Sequence, residues 1–163
     1  MTIKNPAFPF KAKGDRSDDW QTPPHALGPL LPYLKTNWLI WECSSGRGNL
    51  VRALRDLNYL VFASDIKNGR NFLKLPRSPQ LRNEMQSIIG AYDCIVTNPP
   101  YSLKLEFLTR AYELQKPFAF LMPLFTFEGP NRQRLFRENG IEVILLDKRV
   151  EFEPPRGSKP IGF

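Results

Sequence analysis

The stretch Tyr92-Asp93-Cys94-Ile95-Val96-Thr97-Asn98-Pro99-Pro100-Tyr101 decides how this chain is read. Its first six residues have the length and apolar character of a buried parallel strand. The run then meets two prolines, neither of which has an amide hydrogen for a ladder, so pairing must stop there. A residue before proline is held extended, which limits where the Asn98 side chain points. The expected result is a stiff turn at the carboxyl end of a strand. It offers one amide side chain, one backbone carbonyl and one aromatic ring. In open α/β sheets, ligands bind at that edge. Taken alone, Asn98-Pro99-Pro100-Tyr101 also fits an ordinary proline-rich loop, and the rest of the chain has to separate the two readings.

Working outward, Trp38-Leu39-Ile40-Trp41-Glu42 is a second short apolar strand, and it opens into Cys43-Ser44-Ser45-Gly46-Arg47-Gly48-Asn49-Leu50. A helix through Val51, Leu54 and Leu57 follows. Strand, glycine-rich turn and helix together bring backbone amides close to a ligand. Tyr59 to Ser64 is a further strand, ending at Asp65-Ile66. An acidic residue about twenty positions beyond a glycine-rich turn is placed to accept hydrogen bonds from two ribose hydroxyls. The bland alternative for Asp65 is a turn former.

Upstream, Thr22 fits an N-cap with Pro23 at the first helical position, and an irregular helix with Leu27, Leu30, Leu31 and Leu34 on its apolar side should run to about Tyr33. Downstream, helices are expected over about 76–90, 102–115 and 132–139, the last ending at Gly140. Strands are expected at Phe118–Met122 and Ile141–Leu146, with residues 148–152 as a candidate extension. The alternation implies an α/β fold with a mostly parallel sheet covered on both faces. Residues 1–19 read as a flexible basic arm and 20–163 as a single domain.

Net charge is +7 and the sequence pI is about 9.6, which favours an anionic partner, nucleic acid before membrane. Lys67, Arg70, Lys74, Arg77 and Arg82 face only Glu84 between residues 67 and 90, five cations against one anion. A solvated, solubilising face is the competing reading of that charge. No apolar run approaches the roughly 20 residues of a membrane span, and the amino terminus lacks a signal-peptide core. With a single His (His25) and two cysteines, Cys43 and Cys94, in strand-like surroundings, no metal is expected and a reducing cytoplasm is the simplest setting.

Trp20-Gln21-Thr22-Pro23, Glu42-Cys43-Ser44-Ser45-Gly46-Arg47-Gly48, Asp65 and Asn98-Pro99-Pro100-Tyr101 occur in that order. In this the chain, over roughly residues 18–152, resembles the small phage-type N6-adenine DNA methyltransferases. The resemblance implies a Rossmann-like class I fold, S-adenosylmethionine as cofactor and double-stranded DNA as partner. The setting would be the cytoplasm of a bacterial host or phage-infected cell. By the same resemblance, Thr22 and Pro23 contact the amino-acid end of the cofactor, and Glu42, Ser44, Gly46 and Gly48 wrap its methionine part. Asp65 holds the ribose, Ile66 and Phe72 pack on the adenine ring, and Asn71 accepts from its amine. Phe72 reads equally as core. By the resemblance Asn98, Pro99, Pro100 and Tyr101 form the catalytic motif and Tyr101 stacks on a flipped base, with Phe152 as a second aromatic that reads equally as a buried edge residue; Lys67, Arg70, Arg77, Arg82 and Arg149 are the expected DNA contacts.

Three departures from the family pattern matter. Cys43 replaces the usual proline of the glycine motif, and Asn71 stands where an aspartate is common. The chain ends at Gly162-Phe163 before a final antiparallel strand and any separate target-recognition region, so specificity is expected from loops, a protein partner or a further segment. RNA adenine methylation, protein-glutamine methylation and a non-catalytic cofactor- or DNA-binding module are the alternative readings.

Overall fold

The computed structural model describes residues 18, 20–74 and 79–154; Arg77 and, apart from Asp18, the expected basic arm lie outside the described residues. The strands are β1 (Leu39–Glu42), β2 (Leu60–Ala63), β3 (Cys94–Thr97) and β4 (Phe118–Phe120). They form a sheet of order β2-β1-β3-β4 with every pairing parallel. Helices α1 (Asn49–Asp56), α2 (Pro79–Ala91), α3 (Lys104–Glu113) and α4 (Pro130–Asn139) alternate with the strands.

Successive strand residues point to opposite faces, and two hydrophobic clusters result. Ile40, Cys94 and Val96 meet Leu50 and Leu54 of α1 and Leu27 and Leu34 of the amino-terminal segment. Trp41 and Ile95 face the other way and meet Met85 of α2 with Phe107 and Ala111 of α3. Both faces are therefore covered, as continuous apolar strands require. No described helix is long and apolar enough to cross a membrane.

Two local expectations are corrected. The amino-terminal helix is a 3-10 helix, Pro24–Tyr33, whose N-cap is Pro23 and not Thr22, with no side-chain cap hydrogen bond. Pro29 and Pro32 lie inside it, where an α-helix would lose ladder donors. The apolar run Ile141–Leu146 is not a strand, and Ile141, Val143, Ile144 and Leu145 are exposed. Strand-like composition reports how side chains fit a pleated surface, and without a neighbouring ladder it makes no strand. Among the described residues the one antiparallel pairing is an isolated bridge, Gln21 with Glu153.

Candidate functional site

After β1 the chain turns toward β2 on one side, and after β3 it turns toward β4 on the other. Neighbouring strands whose connections diverge leave a crevice at their carboxyl ends. A cleft of about 350 Å³ occupies this position, lined by the glycine turn after β1, by Asp65-Ile66-Lys67 after β2 and by Asn98 and Pro100 after β3. That size lies in the range of small-molecule sites, about 300–1,000 Å³.

The glycine turn is held entirely by acceptors within the protein. Ser44 N donates to Glu42 Oε1 at 3.0 Å, Gly46 N to Asp65 Oδ2 at 2.8 Å and Arg47 N to Gln21 Oε1 at 2.8 Å. Ser45 N donates to the Ser64 carbonyl and Gly48 N to that of Ser45. Three of these five acceptors are side chains, at the ends of β1 and β2 and before the 3-10 helix, and two are backbone carbonyls. What the turn offers is close approach. Gly46 has φ +50°, and a Cβ there would lie 2.8 Å from Gln21 Nε2.

Gln21 belongs to an amino-terminal strap whose residues Asp18, Trp20, Gln21 and Thr22 line the cleft. Its amide donates to the Glu153 carbonyl at 2.9 Å, and Glu153 N returns the bond at 3.0 Å. Glu153 Oε1 accepts from Asn49 Nδ2 at 3.1 Å, and Glu153 Oε2 is 3.4 Å from the Arg47 guanidinium. At the strap's other end Ser102 Oγ donates to Asp18. The amino-terminal strap therefore ties the glycine turn to the proline turn.

Asp65 is buried, and its second oxygen accepts from Lys67 N at 2.9 Å. Each carboxylate oxygen has two acceptor sites, so one on each remains beyond these amide bonds. Beside it Ile66 is 66% exposed and lines the cleft, an apolar surface next to the acid. Glu42, at the end of β1, is fully buried, and burial pushes its carboxyl up to about 7. Hydrogen bonds from Thr97 and Ser44 N pull the other way, and the nearby Asp65 charge adds to the rise.

Across the cleft, β3 ends in Asn98. The Asn98 Oδ1 atom is buried and has no hydrogen-bond partner. Pro99 is buried behind it. Tyr101 begins a 3-10 turn, Tyr101–Leu103, that leads into α3. Its ring meets Phe152 edge-to-face at 6.5 Å, and burial pushes its hydroxyl up to about 12. Tyr101 and Phe152, expected together on a target base, are brought together.

Of the expected cofactor residues, Thr22, Glu42, Ser44, Gly46, Asp65 and Ile66 line the cleft. Pro23 is buried outside the lining, and Gly48 is the left-handed N-cap of α1. Asn71 also stands outside, its Oδ1 accepting from Leu73 N at 2.9 Å. Phe72 is core, its ring 5.3 Å from Trp41 and 4.9 Å from Phe107. Of the expected DNA contacts, Lys67 lines the cleft, Arg82 and Arg149 are exposed, and Arg70 forms a two-point ion pair with Glu84 at 3.1 and 2.8 Å.

Asp18, Gln21, Asn49 and Glu153 were not anticipated at the site. Gln21 stands inside the quoted Trp20–Pro23 run, so its neighbourhood was a signal. Glu153 lies 106 positions from the Arg47 it holds, and no spacing rule reaches that far. Comparison of the chain with family models, with curated proteins and with solved structures gave no match.

Proposed function

We propose that this chain is an S-adenosylmethionine-dependent methyltransferase, of the class I form of the α/β fold, that methylates the exocyclic N6 of adenine in DNA. The observation that carries the reading is the buried Asn98 Oδ1, an acceptor without a donor on a residue that lines a cleft shared with Asp65 and the glycine turn. Buried acceptors are ordinarily paired, and an orphan costs about 1–3 kcal/mol. A substrate N–H in the cleft would satisfy it.

The lining fits the cofactor in chemistry. Glu42 and Asp65 are acids facing one cavity, suited to a ligand carrying cationic sulfur and ammonium groups and a ribose. Ile66 offers the purine an apolar surface. When bound, S-adenosylmethionine supplies an electrophilic methyl group. The protein's part is to make the amine nucleophilic. An exocyclic amine conjugated to an aromatic ring has a delocalised lone pair. Asn98 Oδ1 and the Pro99 carbonyl, accepting its two hydrogens, favour a tetrahedral nitrogen whose lone pair is free to attack. With the cofactor bound, that lone pair would take the methyl as the methyl–sulfur bond is given up, and the surplus N6 proton would leave to solvent. Positioning and electrostatics provide the assistance. Tyr101 and Phe152 hold the base, which must leave the duplex stack for its amine to be reached. The charge of +7 suits the DNA, with Lys67, Arg82 and Arg149 as contacts. Target recognition would come from loops, a protein partner or a further segment.

The test is transfer of labelled methyl from S-adenosylmethionine to unmethylated duplex DNA by the purified chain. Methylation-sensitive sequencing of DNA from cells expressing it then reads the target site. Label in N6-methyladenine, absent with Asn98→Ala, is the expected result. Cofactor binding without transfer to DNA, RNA or a glutamine-bearing protein would favour a binding module. Absence of cofactor binding would overturn the reading of Asp65 and the glycine turn.

A further inference from the structure

The loop that follows β4, at the carboxyl end of the sheet's outer strand, turns two apolar side chains outward. Leu124 is 71% exposed and Phe125 is 43% exposed, both on the 3-10 turn Leu124–Phe127. Exposed apolar residues are common, but on a loose loop such a pair would fold back against the protein. Here the turn is pinned. The Arg132 guanidinium donates to the carbonyls of Thr126 at 2.6 Å and Phe125 at 3.3 Å, and also to that of Glu128. Gln133 donates to the Phe127 carbonyl. Thr126 is buried and the Phe127 ring lies 5.7 Å from Phe136, so the second half of the turn is anchored inward. Its first half is left pointing out.

The turn is also joined to the proline motif through one side chain. Lys104 Nζ donates to the Tyr101 carbonyl at 3.0 Å and stands 5.3 Å from the centre of the Phe125 ring. An ammonium group thus joins the backbone of Tyr101, proposed to hold the base, to the Phe125 ring of the exposed apolar pair, in a chain of net charge +7.

We infer that Leu124 and Phe125 form an apolar wedge that enters the base stack of duplex DNA at the place vacated by the target adenine, with Lys104 beside them facing the phosphate backbone. This presupposes the base-flipping reaction proposed above. Extruding a paired base breaks stacking and pairing, and apolar side chains inserted between base steps are a known way of holding a duplex unstacked. A rigid, exposed leucine–phenylalanine pair connected to the base clamp has the chemistry for that task. It would favour flipping without touching the reacting atoms, so both residues are positioning residues.

The test uses the full chain and synthetic duplexes carrying the target site read by sequencing. In one duplex the target adenine is paired with thymine. In the other it faces an abasic site, where extrusion costs little. Phe125→Ala should slow transfer to the paired duplex about 10- to 100-fold, the range expected for one lost aromatic stack. Its deficit on the abasic duplex should be several-fold smaller. Phe125→Trp should restore the paired rate, and Leu124→Ala, an exposed change, should show the same pattern more weakly. Equal losses on the two duplexes for both alanine variants, or no loss on either, would overturn the wedge and leave the pair as a surface for a protein partner. Transfer by the unaltered chain to neither duplex would overturn the adenine reading and the wedge together.

Discussion

The glycine turn and the proline turn face one another across the same cleft and are built in opposite ways. Each backbone amide from Ser44 to Gly48 is donated to an acceptor within the protein. Three of those acceptors are the side chains of Glu42, Asp65 and Gln21, so the turn's shape does not wait for a ligand. Asn98 is the contrary case, a buried acceptor with nothing donating to it. The glycine side is a finished frame and the proline side is left open at one atom. A fold tends to satisfy what it needs for stability, so the open position is where a demand other than stability is best sought.

The largest effect expected from this difference is at Asn98. Asn98→Ala should lower methyl transfer at least about 100-fold, the scale of removing one preorganised hydrogen-bonding group from a reacting centre. It should leave the ligand-free protein as stable as before or more stable, because it removes an unsatisfied buried acceptor. Most substitutions destabilise by about 1 kcal/mol, so a melting temperature that does not fall is a distinctive outcome. Asn98→Asp keeps an acceptor at the same place and should retain more activity than the alanine variant. A melting temperature lowered by several degrees in Asn98→Ala would show that Oδ1 is bonded in the free protein, and the contrast between the turns would disappear.

Next comes Glu42, the buried acid behind the finished turn. Burial raises its carboxyl from the ordinary 4.5 to about 7. The folded protein therefore keeps a proton between those values that the unfolded chain releases, and unfolding gives off protons in that window. Stability must fall as pH rises from about 4.5 to about 7 and be independent of this group above it, by about 3 kcal/mol at most. Glu42→Gln should flatten that part of the stability curve measured by denaturant titration. A cationic ligand placed beside Glu42 would draw the proton off, so cofactor affinity should rise with pH through the same window in the unaltered chain and not in Glu42→Gln. An unchanged slope in the variant would place the titration elsewhere.

The parts of this architecture legible in the sequence are those governed by local chemistry. β1 was expected from Trp38 and begins at Leu39, and β3 was expected from Tyr92 and begins at Cys94, because short apolar runs closed by glycine or proline report strand ends directly. The cleft residues Glu42, Asp65 and Asn98 were legible for the same reason, each standing at a strand's last position or within two residues beyond it. Ile141–Leu146 failed because composition does not supply a partner ladder. Asn71 and Phe72 sit beside the right strand, yet an Asn turn and an aromatic core contact engage them first. The strap was hidden most deeply, since Gln21 and Glu153 meet only after the whole sheet has been built between them.

The smallest of these effects tests how closely the finished turn and its strap depend on one another. Gly46 has φ +50°, and an added Cβ would lie 2.8 and 2.9 Å from the amide atoms of Gln21. Such an approach requires a shift, and a flexible side chain could ordinarily supply it. Gln21 Oε1 is held by Arg47 N, however, so moving it breaks a hydrogen bond that shapes the turn. Gly46→Ala therefore combines the left-handed backbone penalty of about 1–2 kcal/mol for a residue with a Cβ with loss of that bond. In a Gln21→Ala background the steric part has nothing left to meet, and only the backbone penalty remains. The double-mutant cycle should then show a coupling of about 0.5–1 kcal/mol between the two positions, in the range for residues in contact. If the costs of Gly46→Ala and Gln21→Ala simply add in denaturant unfolding, the strap merely lies over the turn, and the glycine at 46 is required by its backbone angle alone.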